Sequence, residues 1–280
     1  MGSNHQDLAA IIQRYGQVAN AVNQREMERL IEEVRQKWAT NPPPEVEHLY
    51  KRGEGWTEEG AFALCIRDIA GLWIPDRQGQ RCEAEEMDQV LLHVPVDELV
   101  NEIPAPLADP APLDKMVEKA VLLRAQLQTQ SDQSASSNTR NIELPEDFKE
   151  LMSVTNGING AGVPAVTDQT VLVHSLNNQR AGPTSLEYIS DSLKRRGYVA
   201  QAGWELGSSH QHRQIYYVSC HKTNDTDDAN DSWRIFDRAD VNIDMYESLA
   251  HFLQHETAYV EENPGGAQRN YMVVRDCYPF

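Results

Sequence analysis

Apolar residues recur at helical spacing through the first part of the chain. Steps of three and four residues between apolar side chains predict an amphipathic helix. The phase of the pattern slips near Asn23 and Gln24, so it predicts either two helices or one long helix with a stutter. The proline run at 42–44 then ends the helical pattern. The apolar positions are Leu8, Ile11, Ile12, Tyr15, Val18, Ala19 and Val22 before the slip, and Met27, Leu30, Ile31, Val34 and Trp38 after it.

Two further helical patterns follow. The first begins near Thr57, an N-cap candidate that precedes two glutamates, and continues toward Leu72. The second covers residues 113–127 and has its apolar residues on one side. Residues 76–112 are rich in proline and predict connecting segments with one short strand. Region 1–130 is therefore expected to be mainly helical.

A polar stretch separates this region from the rest of the chain. Residues 128–140 read QTQSDQSASSNTR and contain no aromatic or branched apolar side chain. Such a segment cannot bury enough apolar surface to offset the entropy of ordering it. We therefore place a polar linker or loop at 131–141 and a second domain at 142–280.

Residues 142–280 carry helix and strand signals in turn. A leucine-proline pair followed by acids begins a short helix, and a capping pair marks a longer one. Gly157 and Gly197 are expected to end these two helices. Two β-rich runs around a polar loop predict an antiparallel pair. In order, the pattern predicts a helix at 145–155, a strand at 170–174, a helix at 184–197, strands at 215–220 and 233–236, and a helix from Asp244 toward Glu262.

The chain is strongly acidic. Its 280 residues include 25 Lys and Arg against 43 Asp and Glu, which gives a formal net charge of -18. Nucleic acid is therefore not expected as a partner, because binding a polyphosphate requires a basic surface. Another protein with a basic surface is the natural complement. Solubility alone is the simpler explanation of the charge.

The sequence shows no pattern for export or membrane insertion. No basic segment followed by an apolar run occurs at the start, and no run of about 18 apolar residues could span a bilayer. The four cysteines lie far apart without a C-x-x-C pair, which favours free thiols in a reducing compartment. A cytoplasmic protein without a membrane span is therefore expected.

Histidines offer one candidate metal site. His210 and His212, together with His174 and His221, could supply imidazole ligands. The first pair, however, lies in a polar run that is typical of a hairpin tip. We therefore expect no metal at these residues.

The acidic loop at 225–231 offers oxygen ligands for a calcium ion. A calcium loop of the EF-hand type needs glycine at its sixth position and glutamate at its twelfth. Counted from the first aspartate of this loop, those positions hold Asn230 and Phe236. A solvated loop without metal is therefore expected. Its acids are Asp225, Asp227, Asp228 and Asp231.

Known catalytic motifs are absent from the sequence. Cys220 and His221 are adjacent, and neighbouring residues of a strand point to opposite faces, so they are badly placed as nucleophile and base. No G-x-S-x-G, H-E-x-x-H or P-loop motif occurs. The glycine-rich run at 156–162 follows a helix, whereas phosphate-binding loops precede one. No catalytic or cofactor-binding residue is assigned.

A partner-binding surface is expected to combine acidic and aromatic side chains. Aromatic rings contribute much of the energy of protein interfaces, and acids complement a basic partner. The alternative is that the rings fill the core. The candidate binding residues are Asp225, Asp227, Asp228 and Asp231 of the acidic loop and Tyr216, Tyr217 and Trp233 of the adjoining strands.

Three separated segments occur in an order that matches a known family. The first is LPEDFKEL at 144–151, followed by TNG; the second is WELG at 204–207, ahead of the tyrosine pair; the third is WRIFD at 233–237, followed by YESLAHFL at 246–253. Together they resemble the SUKH superfamily, which contains fungal cell-wall-synthesis regulators and bacterial toxin-immunity proteins. The resemblance is confined to the C-terminal half of the chain.

The resemblance implies an α+β domain in which helices pack on a mixed or antiparallel sheet. It also implies a domain that recognises other proteins and has no common active site. This chain departs from the family in two ways. A whole capped helix lies between the first and second matching segments, and the first 130 residues have no counterpart.

Three functions are considered. The preferred one is a non-catalytic protein-recognition module, a regulator or scaffold of the fungal cell-wall or signalling type. The length of the chain favours it over an immunity protein that neutralises a basic toxin. The third is a hydrolase or metal-dependent enzyme with a dispersed site. The N-terminal helices also present apolar faces through which copies of the chain could form a homo-oligomer.

Overall fold

The computed structural model describes residues 7–40, 105–133, 142–162, 170–179, 191, 193–209, 213–223, 232–239 and 242–263. Its bounded α-helices are α1 (Leu8–Thr40), α2 (Leu113–Gln133), α3 (Glu146–Val154) and α4 (Leu249–Glu262), and Leu176–Asn178 form a 3-10 helix. Its strands are β1 (Ile158–Asn159), β2 (Val171–Val173), β3 (Tyr198–Ser208), β4 (Arg213–Lys222), β5 (Ser232–Ala239) and β6 (Asn242–Tyr246). The helix predicted from Thr57, and most of the one predicted at 184–197, lie outside the described residues.

The strands form an antiparallel sheet in the order β1-β2-β3-β4-β5-β6. Strands that are adjacent in the chain are adjacent in the sheet, as short antiparallel connections favour. Tyr217 of β4 pairs with Trp204 of β3 on one side and with Ile235 of β5 on the other. The predicted antiparallel pairing of the runs at 215–220 and 233–236 is confirmed. Helices together with this sheet give an α+β fold.

β4 is covered on both faces, which explains its nearly continuous apolar sequence. Ile215 and Tyr217 point into the main core, which also contains residues of all the labelled helices. Tyr216, Val218 and Cys220 point to the opposite face and pack in a smaller cluster with residues of β5 and β6. The alternation of side chains along a strand therefore separates the two tyrosines.

α1 is a single helix of 33 residues, so the long-helix alternative is the one observed. At the phase slip, Asn23 is buried, and its side-chain oxygen accepts a hydrogen bond from the backbone N–H of Gly162 at 2.7 Å. A buried polar side chain with a partner is tolerated inside a helix interface. Before the slip, the apolar stripe from Leu8 to Val22 is buried, and α1 packs on α3 and α4.

The main core joins residues that lie far apart in the chain. Tyr15 of α1 and Leu123 of α2 are buried in the same cluster as Phe148 of α3 and Phe252 of α4. Clusters of this kind mark a common hydrophobic core. The described parts of the regions 1–130 and 142–280 therefore share one core.

α2 continues through Gln133 instead of ending near residue 127. The side-chain oxygen of Gln130 accepts a hydrogen bond from the backbone N–H of Gly203 in β3 at 3.0 Å, and that of Gln128 accepts one from Ile142 at 3.2 Å. These polar residues anchor the helix, because each supplies a partner to a backbone donor. Residues 131–133 of the predicted linker thus belong to α2, and 134–141 lie outside the described residues.

The sequence pattern predicted that a helix begins at Asp244. In the structure this helix, α4, begins at Leu249. Asp244 lies in β6, whose pairing with β5 buries Tyr246. The burial of apolar surface in the strand outweighs the capping pattern that begins at Asp244. The N-cap is Ser248, whose hydroxyl accepts a hydrogen bond from the backbone N–H of His251 at 3.1 Å.

Two predicted helix ends depend on glycine. α3 ends at Val154, shortly before Gly157, which has a φ of 145°. Gly197 has a φ of 77° and lies in the turn that follows the helical residues 193–195. Other residues adopt such positive φ values only with strain. The prediction for Gly197 is confirmed. The predicted left-handed helix end at Gly157 is wrong, because α3 already ends at Val154 and its C-cap Thr155 has an extended backbone.

Candidate functional site

The predicted aromatic binding residues lie mainly inside the protein. Tyr216 and Tyr217 are each 1% exposed, so neither ring reaches the surface of this structure. Tyr217 packs against Trp204, Phe148 and Trp233, with ring centroids 5.1, 6.4 and 5.4 Å apart. Because β4 is covered on both faces, the two tyrosines fill the core, which was the alternative considered from the sequence.

Trp233 lies at the margin of this aromatic cluster and is half-buried. Its indole N–H donates to the backbone carbonyl of Glu143 at 3.2 Å, and its ring packs on Trp204 at 5.3 Å. The acids predicted to join it in a binding surface lie outside the described residues: Asp225, Asp227, Asp228 and Asp231. Their part in binding stays a prediction.

The outward side of α2 carries an unusual row of apolar side chains. Leu113 is 71% exposed, Val117 57%, Val121 63% and Leu122 53%. Steps of four residues align the first three along the helix, and the exposed Ala125 lies between Val121 and Leu122 on the helix surface. We call these five residues the α2 row. Contiguous apolar surface of this kind marks interaction sites on soluble proteins.

The inner side of α2 is separate from this row. Leu123 and Leu127 are buried in the main core, and Met116 and Ala120 pack against it. The helix is therefore apolar on two sides, and one of them is already buried against the main core of the same chain. The other side stays in contact with solvent in this structure.

Charged side chains border the α2 row. Lys115 lies 3.5 Å from Glu118, and Arg124 forms an ion pair with Glu143 of the segment before α3. Asp114, in the first turn of the helix, is exposed. Lys119, which adjoins Leu122 on the helix surface, donates to the backbone carbonyl of Asn177 at 3.5 Å. Acidic and basic groups around the row are thus balanced.

A buried ionic cluster joins β4, β5 and α4. The Nε atom of Arg213 donates to Asp237 at 2.9 Å, and one of its terminal nitrogens donates to Asp237 at 2.5 Å and to Glu256 at 2.6 Å. All three residues are buried. Burial works against the charge of Arg213, but the two carboxylates outweigh burial and hold the pKa of the guanidinium above its ordinary value.

Further polar groups surround this cluster. Asp244 faces Asp237 across β5 and β6, and burial, with a further contribution from the charge of Asp237, raises the pKa of Asp244. Burial also raises the pKa of Tyr246 well above its ordinary value, and its hydroxyl lies 3.2 Å from Nδ1 of His255. Because Arg213 is engaged by carboxylates of its own chain, the cluster fastens the last helix to the sheet.

One polar group near the junction of β2 and β3 combines histidine, serine and glutamate. Nε2 of His174 lies 3.0 Å from the hydroxyl of Ser208 and 3.6 Å from Glu205. The hydrogen bond from His174 is the largest of the effects that lower the pKa of Glu205. A catalytic triad engages the two ring nitrogens separately. Here serine and glutamate approach the same nitrogen, so the histidine is not oriented for a relay.

The other candidate chemical residues are dispersed or lie outside the described chain. Cys220 is buried, and His221 on the opposite face has Nδ1 3.3 Å from the amide nitrogen of Gln201. The opposite orientation predicted for this pair is confirmed. His210 and His212 lie outside the described residues. Among the residues that are described, no three His, Cys, Asp or Glu side chains are grouped as metal ligands.

The spacing of apolar residues in the sequence already indicates the α2 row. It is overlooked when only one apolar side of the helix is considered. Leu113, Val117 and Val121 follow one another at steps of four residues, on a different side from Met116 and Leu123. A helix with two apolar sides either lies inside a protein or carries a docking face. The structure shows that the second side is exposed.

Comparisons with known proteins do not place the chain in a family. No protein-family model matches the sequence, and no match is found among curated proteins or solved structures. Among the described residues, no helix has both the length and the apolar character needed to cross a membrane.

Proposed function

We propose that this protein is a non-catalytic protein-recognition module that docks a partner on the α2 row. The exposure of Leu113, Val117, Val121 and Leu122 on one helix is the observation that carries the proposal. Leaving these side chains in water is unfavourable by roughly 25 cal/mol per Å² of apolar surface, so a partner that covers them gains that free energy. Leu123 and Leu127 pack α2 onto the main core, which holds the helix that carries the row in place.

For the family, we propose the SUKH superfamily and a regulator or scaffold role of the fungal cell-wall or signalling type. The placement of the matching segments in the fold supports this proposal. The three matching sequence segments form α3, parts of β3 and β5, and the end of β6 with α4, and these elements pack around one antiparallel sheet. We expect the cytoplasm as its location, since the four cysteines lie far apart in the sequence without a C-x-x-C pair.

The net charge of -18 favours an immunity protein as a second candidate. A protein that neutralises a basic toxin gains association rate from the opposite charge. The two roles predict different partners: a toxin encoded beside an immunity gene, or a component of a cellular signalling or wall-synthesis assembly.

The α2 row is tested by comparing what the full chain captures with and without it. We compare the wild type with Val121→Glu and with Gln17→Glu, which adds the same charge at an exposed position of α1. A protein bound by the wild type and by Gln17→Glu, and lost with Val121→Glu, supports the proposal. Capture that is the same for all three chains contradicts it. The identity of the protein then separates regulator from immunity protein.

A further inference from the structure

We infer that Asn156 is a site of spontaneous deamidation, at which water converts the side-chain amide to a carboxylate and ammonia is released. The sequence contains two asparagine-glycine pairs, at 156–157 and 159–160. They lie close together where α3 is followed by β1, but the structure bonds them differently. That difference carries the inference, which is independent of the α2 row and of any partner.

Deamidation of asparagine begins within the chain itself. The backbone nitrogen of the next residue attacks Cγ of the side chain, its proton passes to the amide group, and ammonia leaves. One water molecule then opens the five-membered succinimide ring, which gives aspartate or isoaspartate. Glycine favours the attack, because it has no side chain to obstruct ring closure and its backbone is the least restricted. The attack also requires that the backbone nitrogen is released from any acceptor.

The groups that react at Asn156 are held by one hydrogen bond. Within the described part of the chain, the backbone N–H of Gly157 has no acceptor, and neither has the amide nitrogen Nδ2 of Asn156. The side-chain oxygen accepts a hydrogen bond from the backbone N–H of Leu176 at 2.9 Å. Asn156 and Gly157 are both partly exposed, so water reaches them. Neither the attacking nitrogen nor the departing amide group is therefore restrained by a hydrogen bond of its own.

Asn159 is held at each of these positions. The backbone N–H of Gly160, which would have to attack, donates to the carbonyl of Thr170 at 2.7 Å. The amide nitrogen Nδ2 of Asn159 donates to the carbonyl of Ala105 at 3.2 Å, and the carbonyl of Asn159 accepts a hydrogen bond from the hydroxyl of Tyr15 at 2.8 Å. Ring closure here requires several hydrogen bonds to open together, which occurs less often than the opening of one.

The two products of the reaction differ in their effect on the fold. Aspartate at 156 still offers an acceptor oxygen to the backbone N–H of Leu176. Isoaspartate adds a methylene group to the main chain directly before Gly157, where a Cβ atom would already lie 3.2 Å from the carbonyl oxygen of Val173. Such a position has little space for added atoms. Isoaspartate should therefore loosen the contact between β1 and β2.

The test follows both pairs in the full chain by mass spectrometry. Trypsin cleaves after Lys149 and Arg180, so one peptide contains Asn156 and Asn159, and fragmentation of that peptide locates each deamidation. The protein is incubated at mildly alkaline pH in its folded state and, as a reference, unfolded in urea. Conversion at each asparagine is measured as a function of time.

Dividing each rate in the folded chain by the rate of the same asparagine in urea removes differences between the two local sequences. On that scale, Asn156 should convert at least about tenfold faster than Asn159, because fewer hydrogen bonds must open. Equal values for the two asparagines overturn the inference. So does the absence of conversion at Asn156 in the folded chain over a period in which the urea sample is fully converted.

Two variants connect the site with the stability of the fold. Glutamine would have to close a larger ring, so Asn156→Gln should keep its midpoint of thermal unfolding after the same incubation. The incubated wild type should unfold at a lower temperature than the fresh wild type and than Asn156→Asp, which has the charge without the longer main chain. An equal loss in the incubated Asn156→Gln chain overturns the role of Asn156.

Discussion

Asp147 connects three elements that lie far apart in the chain. One carboxylate oxygen accepts a hydrogen bond from the hydroxyl of Tyr217 in β4. The other accepts one from the backbone N–H of Leu249 at 3.0 Å, in the first turn of α4. Burial, reinforced by the charge of Asp147, raises the pKa of Tyr217 well above its ordinary value, so the phenol keeps its proton and remains the donor.

Replacing Asp147 by alanine should destabilise the protein by about 1–3 kcal/mol, because two donors lose their acceptor. Asp147→Asn keeps one acceptor oxygen and should cost less. Urea unfolding of both variants measures the difference, and a double-mutant cycle with Tyr217→Phe isolates the hydroxyl contact. Additive losses in that cycle would show that the contact contributes nothing to stability.

Gly207 and Gly16 should respond differently to substitution by alanine. A Cβ atom at Gly207 would overlap the backbone carbonyl oxygens of Leu172 and Val171 in β2, which cannot move without breaking the pairing with β3. A Cβ atom at Gly16 would instead meet the side chain of Leu107, which can rotate away. Close approach of the strands, and not a positive φ, therefore explains the glycine at 207.

We expect Gly207→Ala to cost about 1–3 kcal/mol, as overpacking commonly does. For Gly16→Ala, the gain in helix propensity of about 1 kcal/mol should offset most of the clash. Thermal unfolding followed by circular dichroism tests the pair. Equal losses at the two glycines would argue against the close approach of β2 to β3.

Asp244 provides a prediction about pH. Its pKa is raised in the folded protein, so the folded state binds more protons than the unfolded state between the unfolded and folded pKa values. Stability attributable to this group therefore falls as the pH rises through that interval, and the ionised carboxylate destabilises the fold above it. Asp244→Asn should stabilise the protein at pH 7, with a gain that disappears as the pH falls below the unfolded pKa, about 3.9.

Urea unfolding of wild type, Asp244→Asn and Asp109→Asn at several pH values checks this expectation. Asp109 is exposed, so its substitution controls for the loss of one negative charge from the chain. A gain for Asp244→Asn that is equal at pH 7 and at low pH would mean that packing, and not ionisation, explains the effect.

At the scale of elements, the sequence predicted best where the end signal of a helix is a backbone requirement. Gly197 marks a helix end because its positive φ value excludes most other residues. The start of α4 was misplaced because the residues from Asp244 to Tyr246 pair with β5 instead. No local pattern shows that pairing, although the N-cap Ser248 and its bond to His251 are local. A start that depends on strand pairing is therefore out of reach of local capping rules.

The end of α2 shows a second limit of local patterns. A run of glutamine, serine and threonine resembles a linker by composition. In the structure Gln130 and Ser131 are buried, and Gln130 serves Gly203 of β3 as a hydrogen-bond acceptor. A buried polar side chain that accepts a hydrogen bond from a backbone N–H can anchor a helix, just as a buried apolar side chain can. That donor could not be inferred before the fold was known.

At the scale of the molecule, the candidate site was predicted only in its general nature. An interaction surface was expected from acids and rings, but Tyr216 and Tyr217 lie in the interior because helices and strands cover both faces of β4. The α2 row was within reach of sequence reasoning, since its spacing is visible. Its exposure was not, because exposure depends on which side of α2 meets the sheet.

The ionic cluster of Arg213, Asp237 and Glu256 should behave as one unit. Arg213→Met leaves two buried carboxylates without a counter-charge and should cost about 3–5 kcal/mol. Adding Asp237→Leu and Glu256→Leu to it should restore much of the loss, because apolar residues of similar size replace buried ion pairs well. Guanidinium unfolding measures both chains. A triple variant less stable than Arg213→Met would show that the carboxylates have other partners worth keeping.

The packing of α1 against α4 has a consequence for how the protein is made. Synthesis proceeds from the N-terminus, and domains fold as units while the chain emerges. The stripe of α1 from Leu8 to Val22 leaves the ribosome before the sheet does, but part of its covering, residues 249–262, emerges only more than two hundred residues later. During that interval the nascent chain exposes the apolar side of α1 to chaperones and to neighbouring chains. Only when α4 has been synthesised can that side be fully buried.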